Sequence, residues 1–180
     1  MEKFNIKKIM NSREISLLFI LVILSLFIGF RNGTFLTPRN INNMLINYSI
    51  TVILSLGMIC VLLIGGIDIS IGSILALSGM VTALILRDFP ETNVITGFLI
   101  AILVGGVCGF INGLIIAKGG VPPIIATMGS MNVLRGITYL VADNKWVAAY
   151  QIPEKFKRFA TGKYLGFGLL NNMIVVAIII

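Results

Sequence analysis

Histidine is absent from this 180-residue sequence, and charged residues are scarce. Without an imidazole, the residues present exclude His-ligated metal sites and nucleophiles activated by histidine. Charged residues make up only 12% of the chain, whereas hydrophobic residues make up 57%. A soluble domain carries about 25% charged residues, so most of this chain requires lipid as its solvent. The composition therefore excludes a soluble enzyme, a disordered tail and a disulfide scaffold.

Cysteine is also rare, with only Cys60 and Cys108 present. Both lie inside apolar runs and are too few for a zinc site or a disulfide framework, so we interpret them as packing residues.

The net charge of +7 raises the question of whether the chain binds nucleic acid. However, the Lys and Arg residues occupy short polar islands between apolar runs, where membrane proteins carry their anchors. We expect membrane lipid, and no nucleic acid, as a partner.

The charged islands separate apolar runs that are long enough to cross a bilayer. A spanning helix needs about 20 residues, and the runs cover 15–33, 42–65, 69–86, 94–117, 124–142 and 165 onward. Lipid-facing backbone must satisfy its own hydrogen bonds, and the sequence shows no alternating barrel pattern. We therefore predict an all-α polytopic membrane protein with five spans and a truncated sixth, in one transmembrane domain over 1–180. The last run lacks a polar anchor, so we expect the N-terminal portion of a longer protein.

The basic N-terminus, residues 1–14, precedes the first run and imitates a signal peptide. The run is longer than an h-region of about 7–15 residues, and no small-residue cleavage site follows it. We interpret 1–14 as cytoplasmic and 15–33 as a retained span. Alternation from there places the Lys-rich loop 143–163 outside, against the positive-inside rule. Either one apolar run does not span, or this loop breaks the rule.

A pair of glycines interrupts the apolar sequence and is followed by a carboxylate. Gly65 and Gly66 favour a broken helix near 65–73, and Asp68 lies between two uncharged runs. Carboxylates in such a position are expensive and usually functional, so the break could line a polar pathway. The alternative is that Asp68 or Ser70 caps a helix at the water interface. The candidate path or structural residues are Gly65, Gly66, Asp68, Ser70, Gly72, Ser73 and Arg135.

Arg135 lies deep within its apolar run. An unpaired Arg there costs at least about 2.5 kcal/mol, so it needs a partner. Asp68 is the only acidic residue comparably embedded, and we hypothesise that the two side chains approach one another. Snorkelling of the long Arg stem, or pairing with backbone carbonyls, is the alternative.

The run over 94–117 carries a small residue at every fourth position. Such a helix face lets a neighbouring backbone approach closely. We predict a helix-packing face within the bundle, with homodimerisation and a pore-lining groove as alternatives. Its members are Gly97, Ala101, Gly105, Gly109, Gly113 and Ala117.

The polar stretch after Ala142 mixes aromatic and basic residues, including Trp146, Tyr150, Phe156 and Phe159. This pattern indicates an interfacial loop or short helix, with a docking surface for a partner as the alternative.

The sequence Lys118–Pro123 lacks the pattern of a phosphate-binding loop. We therefore predict no catalytic residue, no metal site and no cofactor bound by this chain. Any ATP would be hydrolysed by another subunit.

Two motifs together resemble those of a known family. The stretch GGIDISIGS over 65–73 resembles the GGIDLSVGS stretch of permeases in ribose-type sugar ABC importers. Residues 112–136 also follow the family's run N-G-x-x-[IV]-A-[KR]-x-x-[IV]-P-x-[FI]-[IV]-x-T-[LM]-G-x-x-x-x-x-R-G nearly position by position. Within the family, Asn144–Trp146 and the residues that follow look most like the autoinducer-2 and rhamnose branch.

The resemblance implies a permease subunit of the bacterial inner membrane that forms a translocation path. It implies cytoplasmic ATPase subunits that use ATP and Mg, a second permease copy or paralogue, and an exported solute-binding protein. Family permeases continue to a later cytoplasmic Gly-Gly-Asn loop that engages the ATPase, and this sequence ends before it. From another class, a stand-alone secondary transporter or channel with Asp68 as its ion-coupling carboxylate stays open. A membrane-embedded enzyme is poorly supported because no catalytic constellation is present.

Overall fold

Six α-helices and one 3-10 turn account for most of the described chain. The computed structural model describes residues 13–143 and 145–162. The helices are α1 (Arg13–Arg31), α2 (Pro38–Leu63), α3 (Ile71–Asp88), α4 (Val94–Ala117), α5 (Pro123–Val141) and α6 (Glu154–Thr161), with the 3-10 turn at Ala149–Gln151.

The predicted all-α membrane architecture is confirmed. By length and composition, α2 to α5 are each able to cross a membrane, and the apolar stretch Ile15–Arg31 of α1 is slightly shorter. Residues 13–143 and 145–162 contain no β-strand. The helix bounds agree with the predicted spans within a few residues, because charge and Gly or Pro breakers fix both. The predicted sixth span, from 165 onward, lies outside the described residues.

Residues 1–47 form one compact unit, and the boundary falls inside α2 between Asn47 and Tyr48. Its described part contains the turn between α1 and α2. The side-chain oxygen Oδ1 of Asn32 accepts hydrogen bonds from the backbone N–H and the hydroxyl of Thr34, at 3.1 and 2.6 Å. The hydroxyl of Thr37 accepts from the N–H of Asn40 at 3.4 Å and caps α2. Helix α2 therefore begins at Pro38, directly after this cap.

The second unit, residues 48–180, has α3 at its centre, packed against both α4 and α5. One buried residue from each helix forms the core, namely Leu77, Cys108 and Leu134. The packing interpretation of the cysteines holds for Cys108, which is buried, whereas Cys60 is exposed in the described chain.

Contacts at the helix ends give the directions of the three helices. Ser70, just before α3, contacts Asn112 near the end of α4, so these helices are antiparallel. Ile69 contacts Thr127 near the start of α5, which therefore runs in the same direction as α3. Loops 64–70 and 118–122 thus lie at one end of α3–α5. The loops that follow α3 and α5 lie at the other end.

The small-residue face of α4 meets different surroundings along its length. A Cβ atom added at Gly97 would lie 2.9 Å from the ring of Phe156 in α6, and one at Gly105 would lie 3.8 Å from a side chain of α3. At Gly109 and Gly113 an added Cβ would have no neighbour within 4 Å. The face therefore serves close packing at the start of α4 and leaves open space towards its end.

The aromatic and basic stretch forms the short helix α6, which packs on the start of α4. The rings of Phe156 and Phe159 lie with their centroids 5.8 and 5.3 Å from that of Phe98. The ammonium Nζ of Lys155 lies 3.4 Å from Glu91 Oε2, in the loop before α4. The aromatic contacts and the absence of a side chain at Gly97 together fix α6 on the bundle.

A test of this packing is the substitution Gly97→Leu, compared with Gly106→Leu. The Leu side chain at 97 would displace the Phe156 ring, whereas Gly106 has no neighbour within 4 Å of an added Cβ. We expect trypsin to cleave after Lys155 and Arg158 severalfold faster in Gly97→Leu than in the unsubstituted protein. Gly106→Leu should be cleaved at the original rate. Equal rates in the two variants would contradict the packing of α6 on Gly97.

Candidate functional site

The glycine pair breaks the helix, as the sequence predicts. Helix α2 ends at Leu63 and α3 begins at Ile71. Gly65 has a φ of 77°, in the left-handed region that glycine adopts without steric cost. The N–H of Gly65 donates to the Leu62 carbonyl at 2.9 Å and that of Gly66 to the Val61 carbonyl at 3.0 Å. This pair of bonds is the Schellman arrangement, which satisfies the last carbonyls of α2.

A chain of hydrogen bonds links the broken segment to α4. Oδ1 of Asp68 accepts from the backbone N–H and the hydroxyl of Ser70, at 2.7 and 2.6 Å. The Ser70 oxygen in turn accepts from Nδ2 of Asn112 at 2.8 Å. Ser70 is 0% exposed and Asn112 is buried. Because unpaired polar groups at such positions are costly, these bonds fix the approach of the segment to α4.

A second link joins the segment to α5 through Thr127, which is 1% exposed. Its hydroxyl oxygen accepts from the backbone N–H of Ile69 at 3.2 Å. The same oxygen lies 2.8 Å from the Pro123 carbonyl, which takes its hydrogen within α5. The segment 67–70 is therefore bonded to both α4 and α5.

The broken segment is bonded to α4 and α5 slightly inside their ends, with Ser70 buried and Ile64, Gly65, Ile67 and Ile69 exposed. Asn112 precedes the last residue of α4, and Thr127 follows the first residue of α5, by about one helical turn. At 1.5 Å per residue the segment is bonded roughly 6–8 Å inside the helix ends. Irregular backbone at membrane depth is tolerated only where protein or a water-filled cavity satisfies its polar groups. Thr127 and Asp68 bond to the backbone of the segment, and Asn112 bonds to the side chain of Ser70.

An open cavity of about 410 Å³ lies beside the segment. Its wall includes both glycines of the break, Asp68, and the open positions Gly109 and Gly113 of α4. Asn112 and Thr127 also border it. Three predicted path residues (Gly65, Gly66 and Asp68) and three residues of the predicted packing face (Gly109, Gly113 and Ala117) thus border one cavity, with the half-buried carboxylate of Asp68 as its charged group.

Ser70 occupies the N-cap position of α3, but its side chain makes no capping bond to the helix. Its hydroxyl donates to Asp68 instead, and it is fully buried, not at a water interface. The carboxylate of Asp68 lies next to the N-terminus of α3. Ser73 lies one turn further on, and its hydroxyl donates to the Ser70 carbonyl at 2.7 Å.

The hypothesis that Asp68 pairs with Arg135 is wrong. Among residues 13–143 and 145–162 no ion pair joins them. Asp68 lies at the level of Thr127, and Arg135 follows Thr127 by two turns of α5, which is roughly 12 Å along the helix axis. Arg135 lines a separate, smaller cavity with Gly72 and Ser73.

Sequence reasoning missed the roles of Asn112 and Thr127 in holding the break. The available signal was a polar side chain inside an uncharged apolar helix, since such residues commonly bond across helices. Both also stand within the 112–136 run that resembles the permease family. What the sequence did not indicate is that both side chains bond to the same short segment.

The fold defines a polytopic helical membrane protein in which the break between α2 and α3 borders a mostly apolar cavity. The family described as "Branched-chain amino acid transport system / permease component" matches residues 40–180. The chain therefore belongs to this family of transport permeases, which confirms the resemblance noted in the sequence.

Several sugar-importer permeases are similar to this chain. The ribose import permease protein RbsC of Haemophilus influenzae is 37% identical over 149 residues, covering 81% of this chain and 45% of that protein. The D-allose transport system permease protein AlsC of Escherichia coli K12 is 34% identical, covering 81% and 44%. The autoinducer 2 import system permease protein LsrC of Escherichia coli is 28% identical, covering 96% and 49%.

The chain spans about half the length of these curated relatives. No solved structure matches it. Permeases of ribose, allose and autoinducer-2 systems all match, so membership of the autoinducer-2 and rhamnose branch stays a prediction.

The link to α4 is tested by Asn112→Ala, with Asn132→Ala as the control. Loss of the Asn112 amide removes a buried hydrogen bond to Ser70, so we expect the free energy of unfolding to fall by about 1–3 kcal/mol. The exposed Asn132 donates only to a carbonyl of its own helix, and its loss should have little effect. Unfolding of the detergent-solubilised protein measures both.

A double-mutant cycle separates this link from general damage to the bundle. Ser70→Ala combined with Asn112→Ala should destabilise the protein less than the sum of the two single substitutions, because both remove the same bond. Strict additivity would show that the Ser70–Asn112 bond contributes nothing.

The link to α5 is tested by Thr127→Val, with Thr138→Val as the matched control. Both threonines are buried on α5, but Thr138 donates only to the Leu134 carbonyl of its own helix. Thr127→Val leaves the Ile69 N–H without its acceptor and should cost about 1–3 kcal/mol of unfolding free energy. If hydrogen exchange at the Ile69 amide is equally slow in both variants, Thr127 does not hold the segment.

Proposed function

We propose that this chain is part of the permease subunit of an ATP-driven, binding-protein-dependent importer for a sugar or a sugar-like solute in the bacterial inner membrane. The observation that carries the proposal is the hydrogen-bonded break over 64–70, in which Ser70 is buried. It presents Asp68 and two glycines to a cavity within a bundle of spanning helices. Membership of the permease family and similarity to ribose and allose permeases support the solute class.

In this role the chain forms part of the translocation path and is not an enzyme. The candidate path lies along the cavity bordered by Gly65, Gly66, Asp68, Gly109 and Gly113. Polar loops inside discontinuous helices offer carbonyl and amide groups to a solute at membrane depth. Ser70 sits behind them and holds their position through Asn112.

Such a permease requires partners. We infer cytoplasmic ATPase subunits that bind ATP and Mg, a second permease copy or a paralogue, and an exported binding protein that delivers the solute. The cofactor chemistry then belongs to the ATPase, and this chain's residues contribute the path alone. Similar proteins are named as permeases of transport and import systems, which supports this division of labour.

The alternative is a secondary transporter that couples solute to an ion through Asp68. The geometry favours the importer, because Oδ1 of Asp68 already accepts two hydrogen bonds from Ser70. An ion-coupling carboxylate must exchange its ligand during each cycle, whereas a positioning carboxylate keeps its partners.

Uptake of D-ribose or D-allose by cells that express the gene distinguishes these two functions. Under the proposal, uptake continues when a protonophore collapses the proton gradient while glycolysis supplies ATP. It stops when ATP is depleted while respiration maintains the gradient. Uptake that follows the gradient and ignores ATP would reject the importer.

The variant Asp68→Asn makes the distinction sharper. The amide oxygen of Asn retains an acceptor for Ser70, so an importer should keep a measurable part of its uptake. A transporter that protonates or binds an ion at Asp68 should lose accumulation entirely. Asp88→Asn, at the exposed end of α3, is the matched control and should leave uptake unchanged in both cases.

A further inference from the structure

The one charged side chain deep in α5 does not contribute to the broken-helix cavity. Arg135 makes no ion pair with any carboxylate of the described residues, in contrast to Arg87, whose Nε lies 2.8 Å from Asp88 Oδ1. A guanidinium carries five N–H donors and no acceptor. At membrane depth such a group needs a polar partner or a wet cavity.

Arg135 lines a cavity of about 120 Å³ at the side of α3. The small residues Gly72 and Ala76 line it, together with the aromatic residues Tyr139 and Trp146. The two rings lie 6.0 Å apart and 80° to one another, in an edge-to-face contact. Trp146 is 68% exposed, so most of its surface is available for contact.

Two buried hydroxyls complete the lining with acceptors. The hydroxyl of Ser73 donates to the Ser70 carbonyl and that of Thr138 donates to the Leu134 carbonyl, at 2.7 and 2.8 Å. Because each hydrogen is engaged within a helix, the oxygens keep only lone pairs for a bound molecule. The cavity therefore offers donors from Arg135, acceptors from Ser73 and Thr138, and an aromatic surface.

We propose that this cavity is a solute subsite for a small neutral polyhydroxylated molecule of monosaccharide size, with Arg135 and Trp146 as its main contacts. A hydroxylated ring donates to the two oxygens, accepts from the guanidinium and places its C–H face on the indole. An anion fits less well, because the two lone-pair oxygens would repel it. The cavity volume of about 120 Å³ limits the solute to one small ring.

The proposal rests on the proposed function, since it names where the imported solute contacts the permease. Gly72 and Ser73 belong to the first turn of α3, directly after the segment that borders the larger cavity.

The fluorescence of Trp146 provides the test, because it is the only tryptophan in this sequence. The protein in nanodiscs is titrated with D-ribose, and the signal is taken as the difference between the unsubstituted protein and Trp146→Phe. We expect a saturable change that Arg135→Gln weakens about tenfold or more, as loss of a charged hydrogen-bond donor requires. Arg87→Gln, on the exposed end of α3, should bind as before.

A Trp146-dependent signal that is absent, or that is equal in Arg135→Gln, would overturn the subsite. So would a stronger response to inorganic phosphate than to D-ribose, which would make the cavity an anion site. Should Arg135→Gln fail to fold, Arg135→Lys keeps the charge but lacks the planar fork and should weaken the response. Equal D-ribose binding by Arg135→Lys and the unsubstituted protein would then count against contact with the guanidinium.

The outcomes separate this subsite from the importer itself. ATP-driven uptake without a Trp146 response rejects the subsite and leaves the proposed function standing. A Trp146 response that depends on Arg135, in a protein whose uptake ignores ATP, supports the subsite and rejects the importer.

Discussion

The structure depends on satisfying irregular backbone inside a lipid-embedded bundle. The segment 64–70 leaves the helical hydrogen-bond pattern roughly one turn inside the ends of α4 and α5. Water is scarce at that depth, so each polar group needs a protein partner. Ser70 and Asn112 supply one connection and Thr127 supplies the other. These bonds hold the break between α2 and α3 as a fixed segment beside the cavity.

This constraint explains why residues of one type serve different purposes along α4. Gly97 lets the Phe156 ring rest on the helix, whereas Gly109 and Gly113 leave space beside the broken segment. The even spacing of small residues is common to both uses. Close packing at one end holds α6 in place, and the open end forms part of the candidate path.

The two charges that the sequence embeds in apolar surroundings lie apart in the structure. Asp68 is held by Ser70, whereas Arg135 borders a separate cavity with Trp146 and Tyr139. The two side chains therefore do not neutralise each other in the described chain.

The sequence by itself determined the helices, their bounds and the break at Gly65, because hydropathy and backbone freedom act through near neighbours. It also identified the family through two motifs, since such motifs are read directly from residue order. Only the tertiary structure decided that Asn112 and Thr127 hold the same segment and that Asp68 and Arg135 lie apart. Those relations depend on the direction and offset of α3, α4 and α5. Packing between residues that are distant in sequence fixes this direction and offset, so a local sequence pattern does not predict them.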